Sequence, residues 1–235
     1  MAGCMSDTYE SRLLSAYPEH SWAVLIRGVR EGVKIADEVR RSTPFLSTHV
    51  GQDLRGLLRR AAIMWRIQML CTSGELSFAA TEIRNTKGTS HLLSILSGNV
   101  ELHVVRTEDV FSFPIEAPIR QDRRITNQPD LFEDAKIVPL SEALKAVPRL
   151  YGWLAWGATS RGELTHLCLA MPEAKEDQWL AHLNILHRIR LIEGSARSAT
   201  PTPSAPNPAL LLKFREEIAR SLETELQEGG DGDAA

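Results

Sequence analysis

Two apolar runs, HLLSILS (91–97) and VELHVVR (100–106), are separated by the dipeptide Gly98-Asn99. A two-residue Gly/Asn connection between such runs is a β-hairpin signal, and it fixes a register. Ser97 then opposes Val100, Ile95 opposes Leu102, Leu93 opposes Val104 and His91 opposes Arg106. One face of the hairpin becomes Leu93, Ile95, Val100, Leu102 and Val104. A register that gathers apolar side chains on one face is the one a sheet on a core requires. LSFAATEIR (76–84) precedes it as a third strand of the same meander.

The flanks differ in period. Residues 19–42 place Trp22, Leu25, Ile26, Val29, Val33, Ala36 and Val39 three and four apart, which predicts an amphipathic helix that Ser42, Thr43 and Pro44 break. Residues 47–70 predict a second helix, with Leu54, Leu57, Leu58, Ala61, Met64, Trp65 and Leu70 toward a core, and the two form an antiparallel hairpin. Residues 107–135 lack periodicity and contain three prolines, so they read as a long loop and a functional candidate. KIVPL and SEALKAV read as a short strand and a short helix. YGWLAWGA and ELTHLCLAMP form a second hairpin around Thr159 to Gly162. It is apolar on both faces and therefore central to the sheet. EDQWLAHLNILHRIRLIE reads as a helix.

These elements predict an α+β fold, with an N-terminal helical hairpin packed on a mostly antiparallel sheet and a C-terminal accessory helix after a Pro-rich linker. The expected division is a globular domain over 1–194, a Pro/Ser/Thr/Ala linker over 195–208, the accessory helix over 209–228 and a disordered acidic tail over 229–235. The accessory helix carries Leu211, Phe214, Ile218 and Leu222 along one stripe, for packing in cis or binding a partner in trans. No internal repeat stands out.

Composition narrows the function classes. A net charge of −3 argues against a protein that coats nucleic acid along its whole surface, so any such contact is local. Cys4, Cys71 and Cys168 are odd in number and far apart, which favours a reducing compartment over a disulfide framework. The N-terminal residues lack the apolar core of a secretory signal, and no run of 18 apolar residues occurs. A cytoplasmic protein without membrane association is expected.

The meander gives its charged residues a geometry. Glu82 and Arg84 lie near the end of the first strand, Lys87 in the connecting loop, His91 at the start of the second strand and Arg106 at the end of the third. Gly88 allows close backbone approach, and Asn85 and Ser90 add polar groups. The group suits a phosphate or carboxylate, because arginine offers a planar fork and lysine a mobile charge. A solvated hairpin end is the competing reading. The loop lacks the spacing of a nucleotide-phosphate loop and leads into a strand.

A second cationic feature lies on the helices. Between Arg40 and Arg66 there are six arginines and one acid, Asp53, and Arg55, Arg59, Arg60 and Arg66 form a candidate basic face for a phosphate backbone. RQDRR (120–124) adds three arginines in the long loop. No aromatic interleaves them, so stacking on single strands is not indicated. The alternative is a solvated face paired with acids elsewhere.

Metal and nucleophile chemistry have little to build on. His182 and His187 are five apart, and His91, His103 and His166 fall on different strands. Asp130, Asp134 and Lys136 have the letters of a metal-dependent nuclease but not the spacing. Neither a GxSxG motif nor an activated cysteine is apparent. No metal and no cofactor are expected.

The long loop contains QPDLF. Gln128, Asp130, Leu131 and Phe132 resemble the Q-x-[DS]-L-F pentapeptide by which many bacterial replication and repair proteins bind the sliding clamp. The resemblance implies a peptide in a clamp groove, with Gln128 hydrogen-bonded at its mouth and Leu131 and Phe132 filling an apolar pocket. Pro129 stands where the motif often has leucine or a small apolar residue. It favours the extended backbone this binding needs.

The leading expectation is an intracellular binding or interaction protein, serving DNA or replication machinery through the arginine helix and the QPDLF motif. A protein partner, a sliding clamp among the candidates, comes first and nucleic acid second. The rival is an enzyme acting on a phosphate-bearing substrate at the cationic end of the sheet, with Glu82, Arg84, Lys87 and His91 in its pocket.

Overall fold

The spacing of Trp22, Leu25, Ile26, Val29, Val33 and Val39 buries one continuous face of a 24-residue helix, α2 (Glu19–Ser42). It belongs to a computed structural model that describes residues 3–84, 91–115, 117–127, 149–189 and Lys213. A shorter helix, α1 (Gly3–Ala16), precedes α2. After α2 come a 3-10 turn (Pro44–Ser47), α3 (His49–Asp53) and α4 (Arg55–Thr72). The expected second helix of the hairpin is therefore broken near Leu54. The linker at 195–208 and the accessory helix and tail at 209–235 lie outside the described residues, except that Lys213 is helical.

Among the described residues six strands follow: β1 (Ala79–Arg84), β2 (His91–Ser97), β3 (Val100–Arg106), β4 (Leu150–Ala158), β5 (Leu164–Pro172) and β6 (Trp179–Asn184). They form one sheet in sequence order. Every neighbouring pair is antiparallel except β3 and β4, which run parallel. A parallel pair needs a long crossover, and residues 107–149 supply it. The fold is α+β, with the helices preceding a mostly antiparallel sheet.

The predicted hairpin register is observed where the ladder extends: Ser97 faces Val100 and Ile95 faces Leu102. The β2–β3 ladder ends at Ser94 and His103, so His91 does not pair with Arg106. His91 pairs with Arg84, and Arg106 aligns with Trp156 of β4. Both β4 and β5 are interior strands, as their two apolar faces require. Residues 176–193, expected to be helical, instead contain β6, and the chain becomes helical only at 185–189. Trp179, Ala181 and Leu183 alternate at a period of two. Pairing with β5 takes that pattern in preference to the helical one.

One face of the sheet and the helices share the main core, where Leu93, Ile95, Leu102, Leu154, Trp156 and Leu169 meet Trp22, Val29, Ile63 and Leu70. Tyr17, between α1 and α2, ties the two layers together. Its hydroxyl points at the carbonyls of Ile95 (2.7 Å) and Val100 (3.1 Å), and its own carbonyl accepts from Trp22 Nε1 (2.8 Å).

The rotation of α4 departs from the sequence expectation. Its buried residues are Arg59, Ala62, Ile63, Trp65, Ile67 and Leu70, whereas Leu57 is 61% exposed. The reason is a buried partner. Asp37 on α2 receives the Arg59 guanidinium at two oxygens (2.9 and 2.6 Å), and the Thr159 carbonyl takes a third bond (2.9 Å). A guanidinium satisfied in this way is tolerated inside, where an unpaired one is not.

The close approach of α2 and α4 is set at Gly32. A Cβ there would stand 2.6 Å from Ile63 Cα and 2.8 Å from its backbone nitrogen. Gly32→Ala gains helix propensity but forces two backbones apart. It is expected to lower unfolding free energy by about 1–3 kcal/mol in denaturant titration. Gly28→Ala, which meets side chains alone, Leu70 closely and Ile67 at ordinary contact distance, is the milder control.

Candidate functional site

Strand alternation puts Arg106 on the helix side of β3, after Leu102 and Val104. There it meets the first turn of α4. Gly56 makes room for it: a Cβ on Gly56 would lie 2.8 Å from Arg106 Nη1. Arg60, one turn further along α4, sends Nη2 to the carbonyl of His91 (3.0 Å). Arg120 arrives from α5 (Pro118–Arg124) and donates to the carbonyl of Ile115. The three arginines line a cavity of about 630 Å³ between α4 and the segment after β3. Thr107, Ser112, Phe113, Pro114, Ile115 and Leu57 complete much of its wall, and Asp53 and Glu108 also line it.

The electrostatics agree with convergence. Burial first, and then the charge of Arg120, lower the pKa of Arg60 from the usual guanidinium range. Among the described residues neither Arg60 nor Arg106 forms an ion pair with a carboxylate. Arg60 therefore sits in the cavity with a second guanidinium near enough to depress its own pKa.

The residues expected at the sheet end divide between two places. Glu82, Arg84 and His91 are exposed on β1 and β2, where Arg84 and His91 are cross-strand partners. Their side chains do not line the cavity, to which His91 contributes only its carbonyl bond with Arg60. Arg106 does line it. Lys87, Gly88, Asn85 and Ser90 lie outside the described residues.

The basic face divides as well. Arg59 is buried against Asp37, and Arg66 pairs with Glu31 (2.6 Å). Arg55 is half-buried and Arg60 faces the cavity. The helix thus offers no unbroken cationic stripe. Gln128, Asp130, Leu131 and Phe132 lie outside the described residues. Asn127, immediately before them, is buried and fixed: its side chain bonds Tyr151 N (2.7 Å), Tyr151 O (2.7 Å) and Pro172 O (2.8 Å).

Sequence reasoning missed a polar network on the opposite face of the sheet. Glu101, 3% exposed, accepts from Ser94 Oγ (2.7 Å) and faces His103 Nε2 (3.0 Å), and Arg123 approaches at 3.3 Å. Tyr151 Oη meets His103 Nδ1 at 3.1 Å. The His103 ring thus lies between the Glu101 carboxylate and the Tyr151 hydroxyl. The only sequence signal was Glu and His alternating in an otherwise apolar strand. Residues 107–115 and 117–127 cover this face instead of forming an open loop. Phe113 stacks on Trp179 (centroids 4.1 Å apart), and Thr107 Oγ1 bonds His166 Nε2 (2.7 Å). Among the described residues no group of three or more His, Cys, Asp or Glu is placed to hold a metal ion, and no helix is long and apolar enough to cross a membrane.

Burial alone would raise the Glu101 pKa. Hydrogen bonds from His103 and Ser94, with the charges of His103 and Arg123, outweigh it and hold the group at about 2, against 4.5 for an ordinary glutamate. A depressed carboxyl stabilises the fold above its unfolded pKa and loses that contribution as pH falls. Glu101→Gln is expected to be less stable than the parent by about 3 kcal/mol at neutral pH. Chemical denaturation across pH should show the gap closing between pH 4.5 and about 2.

Comparison with family models, with curated proteins and with solved structures finds no match for this chain.

Proposed function

We propose that this protein is a non-enzymatic binding protein whose ligand carries a phosphate or carboxylate group, held in the cavity between α4 and the segment after β3. The observation that carries the reading is the convergence there of Arg60, Arg106 and Arg120 from three separate elements. Guanidinium groups hold planar or tetrahedral oxyanions through paired N–H donors. Thr107 and Ser112 line the same wall and add neutral polar groups.

Thermal unfolding tests this. Inorganic phosphate is expected to raise Tm beyond the rise given by chloride at equal ionic strength, as a ligand of the folded state must. Arg106→Ala is expected to weaken phosphate binding about ten-fold or more, the size of a lost charged hydrogen bond. Gly56→Ala should leave stability equal or slightly higher while it displaces the Arg106 guanidinium and weakens binding. Equal phosphate responses in parent and both variants would overturn the proposal.

A second reading has its own observation. Asp53 and Glu108 line the same cavity, so carboxylates stand beside the cations as an enzyme acting on a phosphate-bearing substrate requires. Release of phosphate from a simple phosphomonoester, lost in both Asp53→Asn and Glu108→Gln, would favour that reading over simple binding.

The clamp-like motif supplies a separate protein contact, supported by its four matching residues and by the anchored position of Asn127 just before it. Purified bacterial sliding clamp is expected to retain the full chain on a column and to lose it on Leu131→Ala with Phe132→Ala. Equal retention of the double variant would remove the motif from consideration.

A further inference from the structure

We infer that the ligand's anionic group is borne on a flexible aliphatic chain, as in an acyl carboxylate or an alkyl phosphate. The inference rests on the anion-binding reading above and adds the chemistry of the rest of the ligand. The walls beside the arginines are apolar and open: Leu57 is 61% exposed and Ile115 is 89% exposed, and both line the cavity. Pro114 and Val105 add further apolar lining. Large aliphatic side chains left in water beside a cationic cluster form a two-part surface, complementary to an anionic head and a hydrocarbon body.

Aromatic ligands fit this wall less well. Phe113 is the cavity's aromatic side chain, and its ring is already engaged. Trp179 stacks on it at 4.1 Å, Trp153 meets it edge-on at 5.6 Å, and the Arg124 guanidinium stands 5.5 Å from its centre. A nucleobase or other flat ring would have to displace one of these partners before it stacked. A hydrocarbon chain needs only area, which Leu57 and Ile115 offer without rearrangement. The cavity volume of about 630 Å³ is in the range of small-molecule sites.

Calorimetric titration of the full chain with two ligand pairs tests the assignment. Acetate is compared with hexanoate, and methyl phosphate with hexyl phosphate. Each fully buried methylene contributes about four-fold in affinity, so the six-carbon member is expected to bind at least about ten-fold tighter in the pair whose head group fits. The pair with the larger gain identifies the head group. Leu57→Ser combined with Ile115→Ser alters only exposed side chains and should abolish the gain, read as the ratio of long-chain to short-chain affinity within each pair. If the short anions bind and chain length adds nothing, the aliphatic assignment is overturned and the anion site stands. If neither head group binds in any form, both fail. If the longer members gain equally in the double serine variant, the chain lies elsewhere and the inference is overturned.

Discussion

The ion pair of Arg59 with Asp37 fixes the rotation of α4, and the contact of Gly32 with the backbone of Ile63 fixes how closely that helix sits on α2. With α4 seated so close on α2, Ile63, Ile67 and Leu70 enter the core. The same rotation carries Arg59 inward to Asp37 and turns Arg60 and Leu57 toward the end of β3. A helix whose arginine is buried and whose leucine is exposed reverses the usual arrangement. The reversal is stable because the inward arginine finds two carboxylate oxygens and a carbonyl.

How much of this was readable from the chain follows from which contacts are local. The Gly98-Asn99 turn and the alternation around it are local, and the observed ladder repeats the two predicted pairs nearest the turn. The second hairpin was readable for the same reason, since its two apolar faces demanded an interior place in the sheet. The phase of α4 was not local. Leu54, Leu57 and Ala61 have helical spacing as good as that of Ile63, Ile67 and Leu70, and only Asp37, on a different helix, breaks the tie. The segment 176–193 carried two periods at once, and pairing with β5 selected the strand. The arginines of the cavity were visible as letters, but in three different stretches. No spacing rule joins Arg60, Arg106 and Arg120, because the crossover between the parallel strands brings the last of them in.

That crossover also explains why residues 107–127 hold a shape without regular strand or long helix. They lie over the second face of the sheet, where Val105, Tyr151, Trp153, Ala155 and Cys168 need cover. His182 Nε2 bonds the Val110 carbonyl at 2.8 Å, Phe113 packs against both Trp153 and Trp179, and Arg124, 3% exposed, bonds Glu173 O at 2.9 Å and Asp177 at 3.1 Å. Each anchor satisfies a group that would otherwise be costly to bury. The sum of the anchors is a segment fixed at several points along its length, and Arg120 sits between two of them.

Fixing the segment bears directly on binding. A flexible loop bearing one arginine would lose side-chain and backbone freedom when it closed on an anion, and that loss would be subtracted from affinity. Here the cost is met during folding, by the contacts of Val110, Phe113 and Arg124 with the sheet and the β5–β6 turn. Arg106 is held by a strand and Arg60 by a helix, so none of the three cations waits on the ligand to be placed. The counterpart is that Arg120 and Arg60 are held near one another, and the charge of the first lowers the pKa of the second. A long phosphate backbone would gain little from such a site, because Arg59 and Arg66 on the same helix already have carboxylate partners. The proposed ligand is accordingly a compact charge, with the exposed Leu57 and Ile115 beside it for whatever that charge is attached to.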